Sequence, residues 1–392
     1  MTTPTQTAGA GKFRLIPRNI DFATWWDRVG ILAVLAVLTA FMAFAAPNFA
    51  TVDNLLNIAR AISINAIIAA GMTFVILTAG IDLSVGSIVA VSGVTSVLAA
   101  VAGMPAVVAV LVGILAGAFA GLINGALSAY LSLAPFIVTL GLMTFLRGLA
   151  YTMTEGQPIV DSALPFRDLG NGYIAGIPVP VVVMLVVYLI SWFVLERTKF
   201  GRHIYAVGGN PEAARLAGVR VKWILTSVYV IAGALAGLAG VIFAARVVSA
   251  QPTAGTGYEL DAIAAVVLGG TSLAGGKGRI VGTLVGSVIL GVLTTGLILM
   301  NVQFFTQLLI KGLVIILAVA IDSLKQRSTA TAKPVANDAT ELTAGGTADP
   351  GVHDAVVSGE LVVVRSASIG RTRAEHRVLV SGHHEHTVDN FA

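Results

Sequence analysis

Long apolar stretches, separated by short polar connections, recur along most of the chain and limit what it can fold into. Only 11% of the residues are charged, and the mean hydropathy is +0.89. Soluble domains carry roughly 25% charged residues, so this chain would leave a water-facing surface poorly solvated. About 20 apolar residues form a helix that crosses the hydrocarbon layer of a bilayer. The sequence therefore predicts an all-α polytopic membrane protein.

About ten segments are apolar enough to be membrane spans, and their connections are mostly short. The predicted spans are 29–46, 58–80, 84–102, 105–131, 136–153, 179–195, 223–247, 260–274, 280–299 and 304–322. Glycine is abundant, at 43 residues, which suits helices that pack closely or break within the membrane. We predict broken helices near Gly80–Ser87 and Gly269–Gly278.

Basic residues indicate how the chain is oriented, because Lys and Arg favour the cytoplasmic loops. They concentrate before the first span, in the connection 197–222, and after the last span at Lys325 and Arg327. The loop 155–178 instead holds three acidic residues and one basic residue. With ten spans, both termini are cytoplasmic. This predicts a cytoplasmic leader (1–28), a transmembrane domain (29–325) with a cytoplasmic loop at 197–222, and a tail (326–392).

The tail differs from the rest of the chain, since it is polar and contains no spanning run. We predict that it is disordered, apart from a short strand at Glu360–Val364. It also carries His383, His384 and His386 around Glu385. Metal sites need an ordered second shell, so this cluster is not assigned a metal.

A short cytoplasmic helix is predicted within the loop 197–222. Asn210 is suited to the N-cap, Pro211 to the first helical position, and Glu212 to the positive end of the helix. Good helix formers follow, and Gly218 is placed to end the helix. The residues alone leave two interpretations open: an ordinary connector, or an Ala-rich helix that fits a groove on another protein.

A carboxylate lies between two apolar spans at Asp82, in the segment Gly71–Ser87. Acidic residues in membrane segments are costly and point to function. Asp82 can cap a new helix whose first turn contains Leu83, Ser84 and Val85, or it can take part in a substrate path. Both roles are compatible.

Nothing in the sequence predicts a catalytic centre, a metal site or a cofactor. The glycine run at Gly269–Gly278 does not fit a phosphate-binding loop, because Thr271 stands at the first glycine position and Gly278 follows Lys277. A broken membrane helix is the better interpretation of that run. No nucleotide-binding motif is found elsewhere.

Two of these segments resemble a known family. Gly80-Ile81-Asp82-Leu83-Ser84-Val85-Gly86-Ser87 closely resembles the signature of ribose-type permeases, the sugar branch of the branched-chain amino acid and sugar permease family. Asn210–Gly218 resembles the loop through which ATP-binding-cassette (ABC) importer permeases contact their ATPase. The resemblance covers about 40–325, and it includes Asn65, 135–141 with Arg147-Gly148, 269–276, and Lys311-Gly312.

The resemblance implies the permease subunit of an ABC importer that moves a ribose-like monosaccharide across the bacterial cytoplasmic membrane by alternating access. Such a subunit is not an enzyme, because a separate ATPase hydrolyses ATP. The implied partners are that ATPase, an extracytoplasmic sugar-binding protein, the lipid bilayer, and a second permease copy or paralogue; nucleic acid is not one. The residues implied in ATPase contact are Gly208, Asn210, Glu212, Ala213, Ala214 and Gly218.

A sugar path needs hydroxyl and amide groups, and six polar residues in or near the spans are candidates. They are Asn65, Thr73, Asp82, Ser84, Asn124 and Thr139. Each can instead bond a neighbouring helix, a role worth roughly 0.6–2 kcal/mol. A branched-chain amino acid permease of the same family and an ion-coupled secondary transporter are the alternatives. The sequence names neither the sugar nor the composition of the dimer.

Overall fold

The computed structural model describes residues 22–331, 352–357 and 360–365, and the described chain is mostly helical. The helices are α1 (Phe22–Ala45), α2 (Val52–Leu77), α3 (Val85–Val101), α4 (Ala106–Tyr130), α5 (Pro135–Met153), α6 (Asp168–Asn171), α7 (Val179–Arg197), α8 (Lys199–Gly209), α9 (Pro211–Leu216), α10 (Val221–Val247), α11 (Tyr258–Leu268), α12 (Ile280–Leu299) and α13 (Phe304–Thr331). The strands are β1 (Ile159–Val160), β2 (Tyr173–Ile174), β3 (Ile177–Pro178), β4 (Ser249–Ala250), β5 (Val352–Val357) and β6 (Glu360–Arg365).

Six helices are long and apolar enough to cross a membrane, namely α2, α4, α5, α7, α10 and α12. Three shorter apolar stretches accompany them: Gly30–Ala45, α3 and Phe304–Val314. These helices confirm the prediction of an all-α polytopic membrane protein, while the count of about ten spans stays a prediction. At the predicted span 260–274 the structure has α11, whose 11 residues rise only about 16 Å. This length is too short to cross the hydrocarbon layer of a membrane. The helix ends at Leu268 because glycines follow it.

The helices form a buried centre and an outer layer. The centre consists of α2 and α10, with α10 packed against α4, α3 and α2, and α11 packed against α2 and α12. The outer helices α4, α5 and α7 expose large apolar side chains such as Phe119, Phe145 and Phe193. In water such a surface would drive association, but lipid solvates it.

The tightest helix pair is α4 with α10, and glycines make it possible. Gly113, Gly117, Gly121 and Gly125 recur every four residues along one side of α4. A Cβ added at Gly117 would collide with the carbonyl oxygen of Gly233 and lie 2.8 Å from the Cα of Gly237. Helices in lipid gain from such close backbone contact, because the hydrophobic effect does not drive them together.

The short strands pair locally. β1 pairs with β4 and β2 with β3, both antiparallel, within the part of the chain that packs around the spanning helices. In the tail, β5 and β6 form an antiparallel hairpin, which confirms the predicted strand at Glu360–Val364. The helix α1 begins at Phe22, earlier than the predicted span at 29. The histidine cluster at His383–His386 and most of the leader lie outside the described residues.

Candidate functional site

The break between α2 and α3 carries a buried polar network centred on Asp82. The Asp82 Oδ1 accepts hydrogen bonds from the Ser84 backbone N–H at 2.8 Å and from the Ser84 hydroxyl at 2.6 Å. Asn124 on α4 donates to the Ser84 Oγ at 2.7 Å and to the Asp82 Oδ1 at 3.3 Å. All three side chains are fully buried. The network therefore ties the broken segment to α4.

The prediction that Asp82 caps a helix beginning at Leu83 needs a correction. The helix α3 begins at Val85, and Ser84 occupies its N-cap position in helical geometry, without a side-chain cap bond. Asp82 instead holds the turn that leads into the helix, by accepting the N–H two residues ahead. The local bond is the one expected of a capping acid, but the helix starts two residues later, at Val85.

The other predicted path residues are placed differently. Thr139 on α5 donates to the Ile81 carbonyl at 3.4 Å, which brings it beside the same break. Thr73 lies apart, and its hydroxyl pairs with that of Thr283 on α12 at 2.9 Å. Asn65 is half-buried, and its Oδ1 has no hydrogen-bond partner among the described residues. The structure therefore groups Asp82, Ser84, Asn124 and Thr139, and leaves the other two elsewhere.

The predicted break at Gly269–Gly278 is confirmed. The helix α11 ends at Leu268, and the connection to α12 contains four glycines with positive φ. The Thr271 N–H returns to the Val266 carbonyl at 3.1 Å, and the Ser272 N–H is donated to the Lys277 carbonyl at 2.9 Å. These bonds satisfy backbone groups that would otherwise be unpaired in a membrane interior.

The two breaks meet each other and the helix α8 in one backbone junction. The Gly276 N–H donates to the Leu77 carbonyl at 2.9 Å, joining the second break to the end of α2. Gly208 of α8 lies so close that an added Cβ would collide with the Leu77 carbonyl oxygen. The Tyr205 hydroxyl donates to the Gly278 carbonyl at 3.0 Å, and burial raises the pKa of Tyr205, which keeps it a neutral donor. These contacts join α8 directly to both breaks.

The short helix α9 has the local structure predicted from its sequence. The Asn210 Oδ1 accepts from the Ala213 N–H at 3.0 Å, and Pro211 is the first helical residue. Gly218, with φ +83°, ends the helix, and the Val219 N–H returns to the Ala214 carbonyl at 3.0 Å. Ala214 is buried beneath the helix, whereas Glu212 and Ala213 are exposed.

The exposed side of α9 includes an apolar residue that sequence reasoning did not select. Leu216 is 85% exposed, although it lies in a polar connection rather than in a spanning helix. Beside it, Arg215 and Glu212 form an exposed ion pair at 2.7 Å. An apolar side chain among charges on a short protruding helix is suited to a groove on a partner.

A cavity of about 440 Å³ lies between α3, α5 and the start of α11, and it has a mainly apolar lining that includes two charged residues. Its lining residues are Ser87, Met143, Thr144, Arg147, Gly148, Tyr151, Thr256 and Glu259. None of these was among the path residues predicted from the sequence. The signal that could have found them is charge within apolar segments, because Arg147 lies inside α5 and Glu259 in the first turn of α11.

A mostly buried ion pair joins α11 to α13. The Lys311 Nζ lies 3.1 Å from the Asp261 Oδ2 and 3.3 Å from the Oδ1, and both side chains are mostly buried. Pairing is what makes two charges tolerable in this position. The pair holds the short helix α11 against α13.

Broken helices, an outer surface suited to lipid, and an exposed capped helix define a polytopic membrane protein. A profile of the family described as "Branched-chain amino acid transport system / permease component" matches residues 54–319. The chain belongs to this family.

Curated relatives confirm the resemblance inferred from the sequence. The ribose import permease protein RbsC of Escherichia coli (strain K12) is 50% identical over 308 residues, which are 77% of this chain and 95% of the relative. RbsC of Bacillus subtilis (strain 168) is 48% identical over 310 residues, 79% of this chain and 96% of the relative. The L-arabinose transport system permease protein AraH of E. coli is 39% identical over 325 residues, 83% and 98% of the two chains. No solved structure matches the chain.

Proposed function

We propose that the chain is the transmembrane permease subunit of an ABC importer that carries a ribose-like monosaccharide into a bacterial cell by alternating access. Relatives named for ribose and arabinose transport support a sugar as the substrate. Alternating access requires an element that can switch between two arrangements, and the two broken helices are suited to that role.

The observation that carries the proposal is the helix α9 together with the junction beneath it. It presents Glu212, Ala213 and Leu216 to the outside. The adjoining α8 contacts both breaks through Gly208 and Tyr205. A docked ATPase would therefore act on the path through a few rigid contacts. ATP is hydrolysed in that separate subunit, and this chain supplies the path.

The wider assembly follows from the same proposal. We infer an orientation from the basic residues and a count of ten membrane-embedded segments: both termini and the loop 197–222 in the cytoplasm, and the acidic loop 155–178 outside. A sugar-binding protein docks on the outer side, and a second permease copy or paralogue completes a dimer. The chain resides in the cytoplasmic membrane.

Two other functions are less well supported. A branched-chain amino acid permease would share the family profile, but the curated relatives described above are named for sugars. An ion-coupled transporter would use intramembrane carboxylates as ion ligands. No group of three or more ligating side chains suited to a metal ion is found among the described residues.

The test is Glu212→Lys, which reverses a charge on the exposed side of α9. We expect the ATPase to be lost from the purified complex and ATP-dependent ribose uptake to fall to background, because the new charge opposes docking. Glu196→Lys is the matched control, since Glu196 is exposed at the end of α7 but lies outside α9. Normal uptake by Glu212→Lys would refute the role of α9.

A further inference from the structure

The cavity between α3, α5 and α11 carries an inference about the substrate itself, which rests on the proposed function. We propose that it is a binding site for a sugar in transit through the permease. Its volume of about 440 Å³ lies within the range of small-molecule sites.

The cavity is held open by its own polar groups. The Arg147 Nη1 donates to the Pro252 carbonyl at 2.6 Å and to the Ala254 carbonyl at 2.8 Å, which fixes the loop before α11 against α5. On the other side, the Glu259 carboxylate packs against Gly86, where an added Cβ would collide with the Glu259 Oε2. Arg147 is held by its two hydrogen bonds, so this part of the cavity is preorganised.

One wall has a polar atom without a partner. Ser87 is 1% exposed, and its Oγ has no hydrogen-bond partner among the described residues. A buried hydroxyl left unpaired is costly unless a ligand or water satisfies it. The neighbouring Gly86 has no room for a side chain, because Glu259 and the Gly255 carbonyl approach it closely. Ser87 and Glu259 therefore lie on adjoining walls of the cavity.

The lining combines apolar surface with a few polar groups, as small-molecule sites do. Sugar hydroxyls both donate and accept, and the cavity offers an accepting carboxylate at Glu259, a guanidinium at Arg147, and the hydroxyls of Thr144 and Thr256. The ring of Tyr151 adds a surface for the C–H face of a sugar.

Three of the residues predicted to line the path do not line this cavity. Asp82, Ser84 and Asn124 bond mainly to one another and are fully buried. They hold the break rather than offer groups to a ligand. Ser87, at the end of the same sequence signature, borders the cavity, and its hydroxyl oxygen is buried as well. The signature thus holds the break at Asp82 and forms part of the cavity wall at Ser87.

Cysteine protection tests the site directly, because the chain contains no cysteine. In Thr256→Cys the thiol replaces an exposed lining residue and is the only one in the permease. The full chain is reconstituted with its ATPase, and its reaction with methyl methanethiosulfonate is followed with and without D-ribose. We expect ribose to slow labelling about tenfold at ten times its Kd, since an occupied site excludes the reagent. Leucine should not slow it.

Ala163→Cys is the control, because Ala163 is exposed in a different cavity and should be labelled at one rate with or without ribose.

A second measurement uses Glu259→Gln, for which we expect about a tenfold loss of transport kcat/KM at unchanged melting temperature. If unmodified complexes import ribose while Thr256→Cys is unprotected and Glu259→Gln transports normally, the site is refuted and the proposed function stands. If unmodified complexes import no sugar, the proposed function itself fails.

Discussion

At the scale of single residues, Asp82 holds the break between α2 and α3 through one of its two carboxylate oxygens. Its Oδ1 accepts every hydrogen bond given to the side chain, from Ser84 and Asn124, whereas its Oδ2 has no partner among the described residues. The bonds require an acceptor oxygen at one position, and an amide supplies that as well as a carboxylate does. Substitution can therefore separate structure from charge.

We predict that Asp82→Asn costs less than about 1 kcal/mol of stability, whereas Asp82→Ala costs about 2–4 kcal/mol, because it leaves the Ser84 N–H and the Asn124 amide unpaired. Thermal unfolding of the purified permease measures both. If Asp82→Asn is stable but ribose uptake is lost, the charge itself takes part in transport. Equal destabilisation by both variants would contradict the network described for this break.

At the scale of elements, glycines on α4 and α10 decide how closely these two helices approach each other. The contact is backbone to backbone at Gly117, Gly121 and Gly233. Separating two helices in lipid carries no hydrophobic penalty. The free energy that holds them together therefore comes from van der Waals contact at this short distance. The two helices have little tolerance for any added side-chain atom.

We predict that Gly117→Ala destabilises the permease by about 1–3 kcal/mol, because the new methyl group forces the helices apart. Gly141→Ala on α5 is the matched control, since nothing lies within 4 Å of its added Cβ. Alanine is the better helix former by about 1 kcal/mol, so the control should be neutral or stabilising. Melting temperatures in detergent compare the two. Equal melting temperatures would show that α4 and α10 are not held by close contact.

At the scale of the whole molecule, the contact between α8 and the two breaks joins the loop 197–222 to the interior of the helix bundle. Gly208 and Gly276 approach each other and Leu77 through backbone atoms alone. Because close backbone contacts are hardly compressible, a displacement of one segment is expected to move the segment that it contacts. The expected path of coupling is short and contiguous.

We predict that Gly208→Ala uncouples the transporter, with ATP hydrolysis continuing while uptake falls at least tenfold, because the added methyl group pushes α8 away from Leu77. Gly209→Ala is the control, since nothing lies within 4 Å of its added Cβ. The ratio of sugar imported to ATP hydrolysed is the measurement. An unchanged ratio in Gly208→Ala would exclude transmission through this contact.

The sequence by itself determined the features that arise from neighbouring residues. Membrane embedding follows from the number of consecutive apolar residues, which can be counted along the sequence. The Asn210 cap, the helix end at Gly218 and the Asp82–Ser84 bond each involve only a few neighbouring residues. The family resemblance added the class of transporter. Each of these survives in the structure because no distant partner is needed to form it.

Only the tertiary structure decided which polar groups meet and which face a cavity. Thr73 pairs with a residue 210 positions away, and Ser87 shares a cavity with Arg147 and Glu259 from two other elements. It also shortened the predicted span 260–274 to α11. The physical reason is that polarity along a helix is visible in the sequence, whereas the partner of each polar group depends on how the helices pack.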